Sequence, residues 1–335
     1  MASTFFLIVA CTTFVVVAEA DHTDIPYKYI NGRPLQLDIY LPENDSIPPQ
    51  HGSNFSDRSS LGTAYPLIIY IHGGGWKGGS KLPLPPFLPD AMNKAGAAVA
   101  AINYRLDTDT QWGDAPVVYP AQKEDVVDAL AWLQSDNATK YLSVDTSRMM
   151  CLGGSAGGHL CSLLAAVANW GDRGTADGAD LKPLKLAIPF FGPTDLLHME
   201  LDIDPSVGCW RDIDAPDSAE SELLACTDKN GQPDGLGDLR NHSSKYPSAY
   251  QNAVDANPVS HIVGGAGATM SWFIAHGEAD TTVPFKQSER LVDALKAAGE
   301  SVEFVPVKDG NHGFKPHSAW SSTIDAASAW IAENL

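Results

Sequence analysis

The sequence predicts an α/β chain: a mostly parallel central sheet with helices on both faces and a polar lid insert late in the chain. Two observations carry this expectation. From residue 66 almost to the C-terminus, short apolar runs alternate with stretches of helical period, the pattern of a parallel sheet whose strands are covered on both sides. Between about residues 197 and 262 that rhythm lapses into an Asp-rich stretch with no clear period, set between two predicted strands.

The elements follow in order. Tyr27–Ile30 and Pro34–Leu41 read as antiparallel edge strands, because Asn31-Gly32 between them is the dipeptide best suited to a tight hairpin. Residues 42–64, rich in Pro, Ser, Asn and Gly, read as a surface loop. The compact apolar runs Leu67–Ile71, Ala97–Ile102, Met149–Leu152, Leu186–Phe191, Met270–His276 and Val302–Val307 are predicted strands. Helices are predicted near Leu88–Lys94, Pro120–Gln134, His159–Ala168, Lys286–Ala298 and Ser318–Asn334. The 197–262 insert is expected to form a lid or rim. With no internal repeat and no second apolar core, residues 21–335 read as one domain, a size that α/β folds reach undivided.

The N-terminus departs from this pattern. An apolar run from Phe5 to Ala18 ends in Ala18-Glu19-Ala20, small residues where a signal peptidase inspects them, so residues 1–20 read as a signal peptide and Asp21 as the mature N-terminus. About fourteen apolar residues fall short of the ~20 that a membrane-spanning helix needs. A secreted chain would make glycosylation candidates of Asn44, Asn54, Asn137 and Asn241, each in an N-x-S/T sequon. It would also favour a disulfide, expected between Cys209 and Cys226 in the polar insert, with Cys151 and Cys161 as buried thiols inside apolar runs. The formal charge of −19 argues against nucleic acid or an anionic membrane surface as partner.

Chemistry concentrates at glycine-rich junctions. Gly153-Gly154-Ser155-Ala156-Gly157 lies between a predicted strand and a predicted helix, the setting in which a sharp turn lifts a serine hydroxyl above the sheet edge as a nucleophile. His72-Gly73-Gly74-Gly75-Trp76 follows the strand Leu67–Ile71, and its glycines can turn backbone N–H groups toward a developing oxyanion, with the Ala156 amide as a further donor. His312, in the glycine-flanked loop after the last strand, is the expected general base. Asp280, preferred over Glu278 in the loop after the preceding strand, is the expected acid that orients it. Bland readings suit the other histidines: His72 bracing the glycine loop, His159 on the elbow helix and His276 closing a strand. Trp76 is a candidate substrate-binding wall and equally a core residue.

These segments, with Lys77–Lys81 and Gly192-Pro193-Thr194-Asp195, resemble the α/β-hydrolase superfamily, in its carboxylesterase-like branch of feruloyl-esterase-like and hormone-sensitive-lipase-like esterases. The resemblance runs from about residue 34 to the C-terminus and implies a serine esterase with Ser155, Asp280 and His312 as triad. It also implies Gly74, Gly75 and Ala156 as oxyanion donors, with Gly73 the alternative glycine, and Asp195 as structural. Hormone-sensitive-lipase-like proteins usually carry Asp before the serine, where this chain has Gly154. The expected substrate is a small-molecule or glycan-linked ester, without stable membrane association, since the polar insert does not suit an oil–water interface. Formamidase- or peptidase-type amide hydrolysis is the alternative, and a non-catalytic binding role the remoter one. No cofactor or metal is expected: Asp228–Asp238 is spaced like a calcium loop but lacks the closing glutamate and carries Pro233 where glycine is needed.

Overall fold

A computed structural model of the chain describes residues 19–43, 64–113, 115–138, 141–170, 181–227, 231–262, 270–315 and 317–335. The body of the leader, the sequons at Asn44 and Asn54, and residues 228–230 of the acidic loop lie outside these.

Among the described residues eight strands form a single sheet: β1 His22–Ile30, β2 Arg33–Tyr40, β3 Tyr65–Ile71, β4 Ala98–Ile102, β5 Val144–Gly154, β6 Leu186–Phe190, β7 Ser271–Gly277 and β8 Ser301–Val307. Their order is β1-β2-β4-β3-β5-β6-β7-β8, with β1/β2 and β2/β4 antiparallel and every later pair parallel. The turn between β1 and β2 is the predicted one, with Asn31 at φ 49° and Gly32 at φ 77°, the left-handed pair that a two-residue hairpin requires. β4 and β6 are buried at every position, which explains why they read as unbroken apolar runs rather than alternating ones.

The helices are α1 Leu88–Ala95, α2 Ala121–Leu133, α3 Ala156–Trp170, α4 Ala219–Leu223, α5 Gly235–Asn241, α6 Pro247–Asp255, α7 Lys286–Ala298 and α8 His317–Asn334. Core residues fall into two groups, one on each side of the sheet. On one, Leu67, Ile69, Cys151 and Ala187 pack with α2, α3 and α7; on the other, Ile68, Met150, Ile188 and Phe273 pack with α1 and α8. Alternate residues of one strand thus serve opposite layers, as the two-residue period of a strand demands. Among the described residues no helix is long and apolar enough to cross a membrane.

The insert is helical where the sequence showed no period. α4, α5 and α6 span only five, seven and nine residues, too short for a pattern to stand out. Leu223, Leu236, Leu239 and Ala253 of these helices join the α2/α3 side of the core, so the insert is built into the domain. Ion pairs fasten it: Arg240 to Asp214, Arg211 to Glu220, and Arg290 of α7 to Asp202.

The disulfide expectation is overturned. Cys151 and Cys161 are bonded, with Cα atoms 5.6 Å apart, while Cys209 and Cys226 are free thiols. The turn after β5 folds α3 back along the strand and brings residue 161 beside residue 151, a proximity that apolar surroundings concealed. Cys226 is buried, and that burial pushes its thiol up to about 12.

Candidate active site

β5 ends and α3 begins around Ser155, whose φ of 58° is the left-handed conformation of a sharp strand-to-helix turn. The turn is possible because the chain approaches itself closely there. A Cβ on Gly157 would lie 2.1 Å from the Ile71 carbonyl oxygen. Backbone bonds fix the serine from both sides: its amide donates to the Phe190 carbonyl at 3.0 Å, and its carbonyl accepts from the His159 amide at 3.0 Å.

The structure brings the three sequence candidates into one hydrogen-bonded chain. Ser155 Oγ is 3.0 Å from His312 Nε2, and His312 Nδ1 is 2.8 Å from Asp280 Oδ2. Asp280 Oδ1 accepts from the amides of Thr282 at 2.8 Å and Val283 at 3.0 Å. Burial pushes the Asp280 carboxyl up, but hydrogen bonds and charge from His276 and His312 outweigh it and hold the group well below the usual carboxylate range. Glu278, the alternative acid, is exposed and has no place in this chain.

His276 is the residue that sequence reasoning passed over. Fully buried at the end of β7, its Nε2 lies 3.0 Å from the Val283 carbonyl oxygen and 3.2 Å from Asp280 Oδ2, and its Nδ1 lies 2.7 Å from Ser288 Oγ. A carbonyl can only accept, so His276 Nε2 carries a proton directed at the Val283 carbonyl and Asp280 Oδ2, while Nδ1 bonds to the Ser288 hydroxyl. The signal was present as a His and an Asp four residues apart in one glycine turn.

The glycine loop closes over the serine. Gly74 (φ 121°) and Gly75 (φ 61°) turn it, and Gly73, Gly74, Gly75 and Ala156 all line the cavity that holds Ser155 and His312. First-turn amides of a helix have no partner within it, so the amide of Ala156 has none inside α3. His72 braces this loop: its Nδ1 lies 2.8 Å from the Gly73 carbonyl oxygen and its ring stacks on Tyr104 with centroids 4.3 Å apart. Trp76 touches the cavity but is only 1% exposed, and its Nε1–H donates to His159 Nδ1 at 3.3 Å. His159, pushed down to about 4 by burial, stays neutral and bonds through Nε2 to the Ala256 carbonyl. Trp76 is therefore as much a tie between the glycine loop, α3 and the insert as a wall.

Gly154 also has its explanation. A Cβ at that position would lie 2.9 Å from the ring of Phe191, which stands edge-to-face against His312 with centroids 4.9 Å apart. The Phe191 ring fills the space a side chain before the serine would need. Asp195 accepts from Asn257 at 3.0 Å and pairs with His198 at 2.8 Å, a structural tie away from Ser155.

The cavity has a volume of about 900 Å³ and two unlike parts. Tyr70, Phe87, Phe190, Phe191, Phe314 and Trp320, all buried or half-buried, give its inner part aromatic walls, whereas the insert brings the exposed Trp210, Asp212 and Asp217 to its mouth, with the half-buried Arg211 and buried Glu220 beside them. Among the described residues no group of three or more His, Cys, Asp or Glu is placed to hold a metal ion. Asn137 and Asn241 are both exposed.

Comparison with known proteins agrees with this architecture. The chain is 27% identical to the non-reducing polyketide synthase ausA of Aspergillus calidoustus over 84% of its own length and 12% of the synthase. To the probable carboxylic ester hydrolase LipM of Mycobacterium tuberculosis it is 28% identical, over 77% of its length and 51% of that protein. It thus spans about half, or far less, of the length of these relatives. A truncated carbohydrate esterase from gut microbiota has the same fold, with a TM-score of 0.67 at 24% identity, covering 95% of this chain and 97% of that one. The BD-FAE family model matches residues 57–295. The chain belongs to the BD-FAE family, within the carboxylesterase-like α/β-hydrolases.

Proposed function

We propose that the chain is a secreted serine hydrolase that cleaves carboxylic esters, of small soluble or carbohydrate-linked acyl groups, through an acyl-enzyme. The observation that carries this reading is the unbroken chain from Ser155 Oγ to His312 to Asp280 at the base of a cavity walled by the glycine loop. The likeness to an ester hydrolase and to a carbohydrate esterase supports the substrate class. The leader-like residues 1–20 and the Cys151–Cys161 bond, which an oxidising compartment favours, support secretion.

In this mechanism His312 Nε2 takes the Ser155 proton as Oγ attacks the ester carbonyl carbon. Charge developing on the carbonyl oxygen is met by amides of Ala156 and of two glycines in Gly73–Gly75, each worth about 3–4 kcal/mol of barrier. Collapse of the tetrahedral species expels the alkoxide, which receives the proton held by His312. Water, deprotonated by the same imidazole, then releases the acid and restores the serine. Asp280 stays ionised throughout and stabilises the imidazolium.

The test is hydrolysis of 4-nitrophenyl acetate, butyrate and octanoate by the mature protein beside Ser155→Ala. Turnover of the short esters should fall by at least a thousandfold or so in the variant. A folded wild type that turns over none of the three would overturn the reading and bring formamides and peptides forward.

A further inference from the structure

Among the described residues most large aromatic side chains are buried or half-buried, but Trp210 is 70% exposed. It stands at the mouth of the Ser155 cavity, on the insert, and is held rather than free. Its Nε1–H donates to Thr282 Oγ1 at 3.1 Å and its backbone amide to the Thr281 carbonyl at 3.1 Å, so the indole is tied to the loop that carries Asp280. Beneath it, Arg211 is locked by two bonds of 2.6 Å to the buried Glu220, with its guanidinium 5.8 Å from the indole centroid. The exposed carboxylates of Asp212 and Asp217 line the same mouth.

We propose that Trp210, with Asp212 and Asp217, is a sugar-binding platform for the alcohol side of the ester. This rests on the ester-hydrolase reading of the same cavity and names the part of the substrate that its outer half receives. A fixed, solvent-facing indole is a flat apolar plate, and the carboxylates beside it are acceptors. A pyranose offers the complement of both: a face of C–H groups and a rim of hydroxyl donors. A fatty alcohol would meet charged groups where it needs apolar wall. A cationic alcohol would meet an indole already carrying a guanidinium, and an anionic polymer would be repelled by the net charge of −19. The aromatic inner part of the cavity is left for the acyl group.

The experiment separates binding from chemistry. Ser155→Ala protein is titrated with xylotetraose, cellotetraose and chitotetraose by calorimetry or by the Trp210 indole N–H resonance. At least one should bind with a Kd below about 10 mM, weaken about tenfold in Ser155→Ala/Trp210→Ala, and recover to within about threefold with Trp210→Phe. In the Ser155-containing protein, Trp210→Ala should lower kcat/KM for an acetylated oligosaccharide at least about tenfold more than for 4-nitrophenyl acetate, through KM. Absence of binding by all three sugars, or equal affinity with and without the indole, overturns the platform even if ester turnover stands. Sugar binding that requires Trp210 supports it even if the ester chemistry fails.

Discussion

Asp280 is asked to serve two imidazoles at once, and this gives His276 a role that a strand-closing residue would not have. Oδ2 accepts the hydrogen bond from His312 Nδ1 at 2.8 Å and lies 3.2 Å from His276 Nε2, so the second histidine fixes the carboxylate against rotation while Thr282 and Val283 hold Oδ1. His276→Leu should cost the hydrogen bond to a charged acceptor, about 1.5–3 kcal/mol, and hence roughly ten- to hundredfold in kcat with KM changed less than about twofold. His276→Gln, whose amide N–H can occupy the position of Nε2, should recover most of the loss. Equal damage by both variants, or an effect on KM alone, would make His276 a packing residue. The contrast shows which residues a sequence can reveal. Ser155, Asp280 and His312 stand out because each sits in a glycine-marked turn at a strand end. His276 shares the Gly277 turn with Asp280 and shows there only as a spacing of four residues, whereas Phe191 acts through contacts made across separate turns, to which nothing in its neighbours along the chain points.

At the scale of elements, the alternating part of the fold was legible and the insert was not. Lys286–Ala298 was predicted to the residue because it is an amphipathic helix capped by a left-handed Gly299. The helices of the insert are held by tertiary ion pairs such as Arg240–Asp214, which no local period encodes. The Cys151–Cys161 bond belongs to the same class: it joins β5 to α3 across the nucleophile turn, where two apolar runs meet. Closing so short a loop stabilises by roughly 2–3 kcal/mol, so Cys161→Ser should lower the unfolding free energy by about that much while leaving Cys209 and Cys226 to titrate as before. Thiol counting gives the direct check. The mature protein denatured without reductant should react at Cys209 and Cys226 only, and reduction should add Cys151 and Cys161. In the native state the half-buried Cys209 should react first, since burial keeps the Cys226 thiol protonated. Four reactive thiols before reduction would dissolve the bond.

Across the whole molecule, 41 acidic residues face 22 basic ones, so each further buried negative charge carries a cost, and Asp107 is where that cost is clearest. Its loop straps the glycine loop to the fold: the Asp107 amide donates to the Trp76 carbonyl at 3.0 Å and Thr108 Oγ1 to the Lys77 carbonyl at 2.8 Å. Both carboxylate oxygens are buried without a well-formed hydrogen bond. Burial pushes the group up to about 6, with Lys77 opposing, Glu222 adding to the rise and the Thr108 amide opposing weakly. A carboxyl raised above its unfolded value binds its proton more tightly in the native state. Stability is therefore intact below the ordinary carboxylate value of about 3.8 and is lost as pH climbs from there through about 6. The full rise corresponds to at most roughly 3 kcal/mol, and the solvent that reaches this half-buried residue reduces it to roughly 1–2 kcal/mol. Asp107→Asn, which keeps the shape and removes the charge, should therefore raise the urea-unfolding free energy by about that amount at pH 7.5. The gain should fade toward zero near pH 4, where the native Asp107 already carries its proton. A gain of the same size at both pH values would trace to the amide's own contacts, and a loss at pH 7.5 would mean that the ionised carboxylate holds the strap through its pull on Lys77.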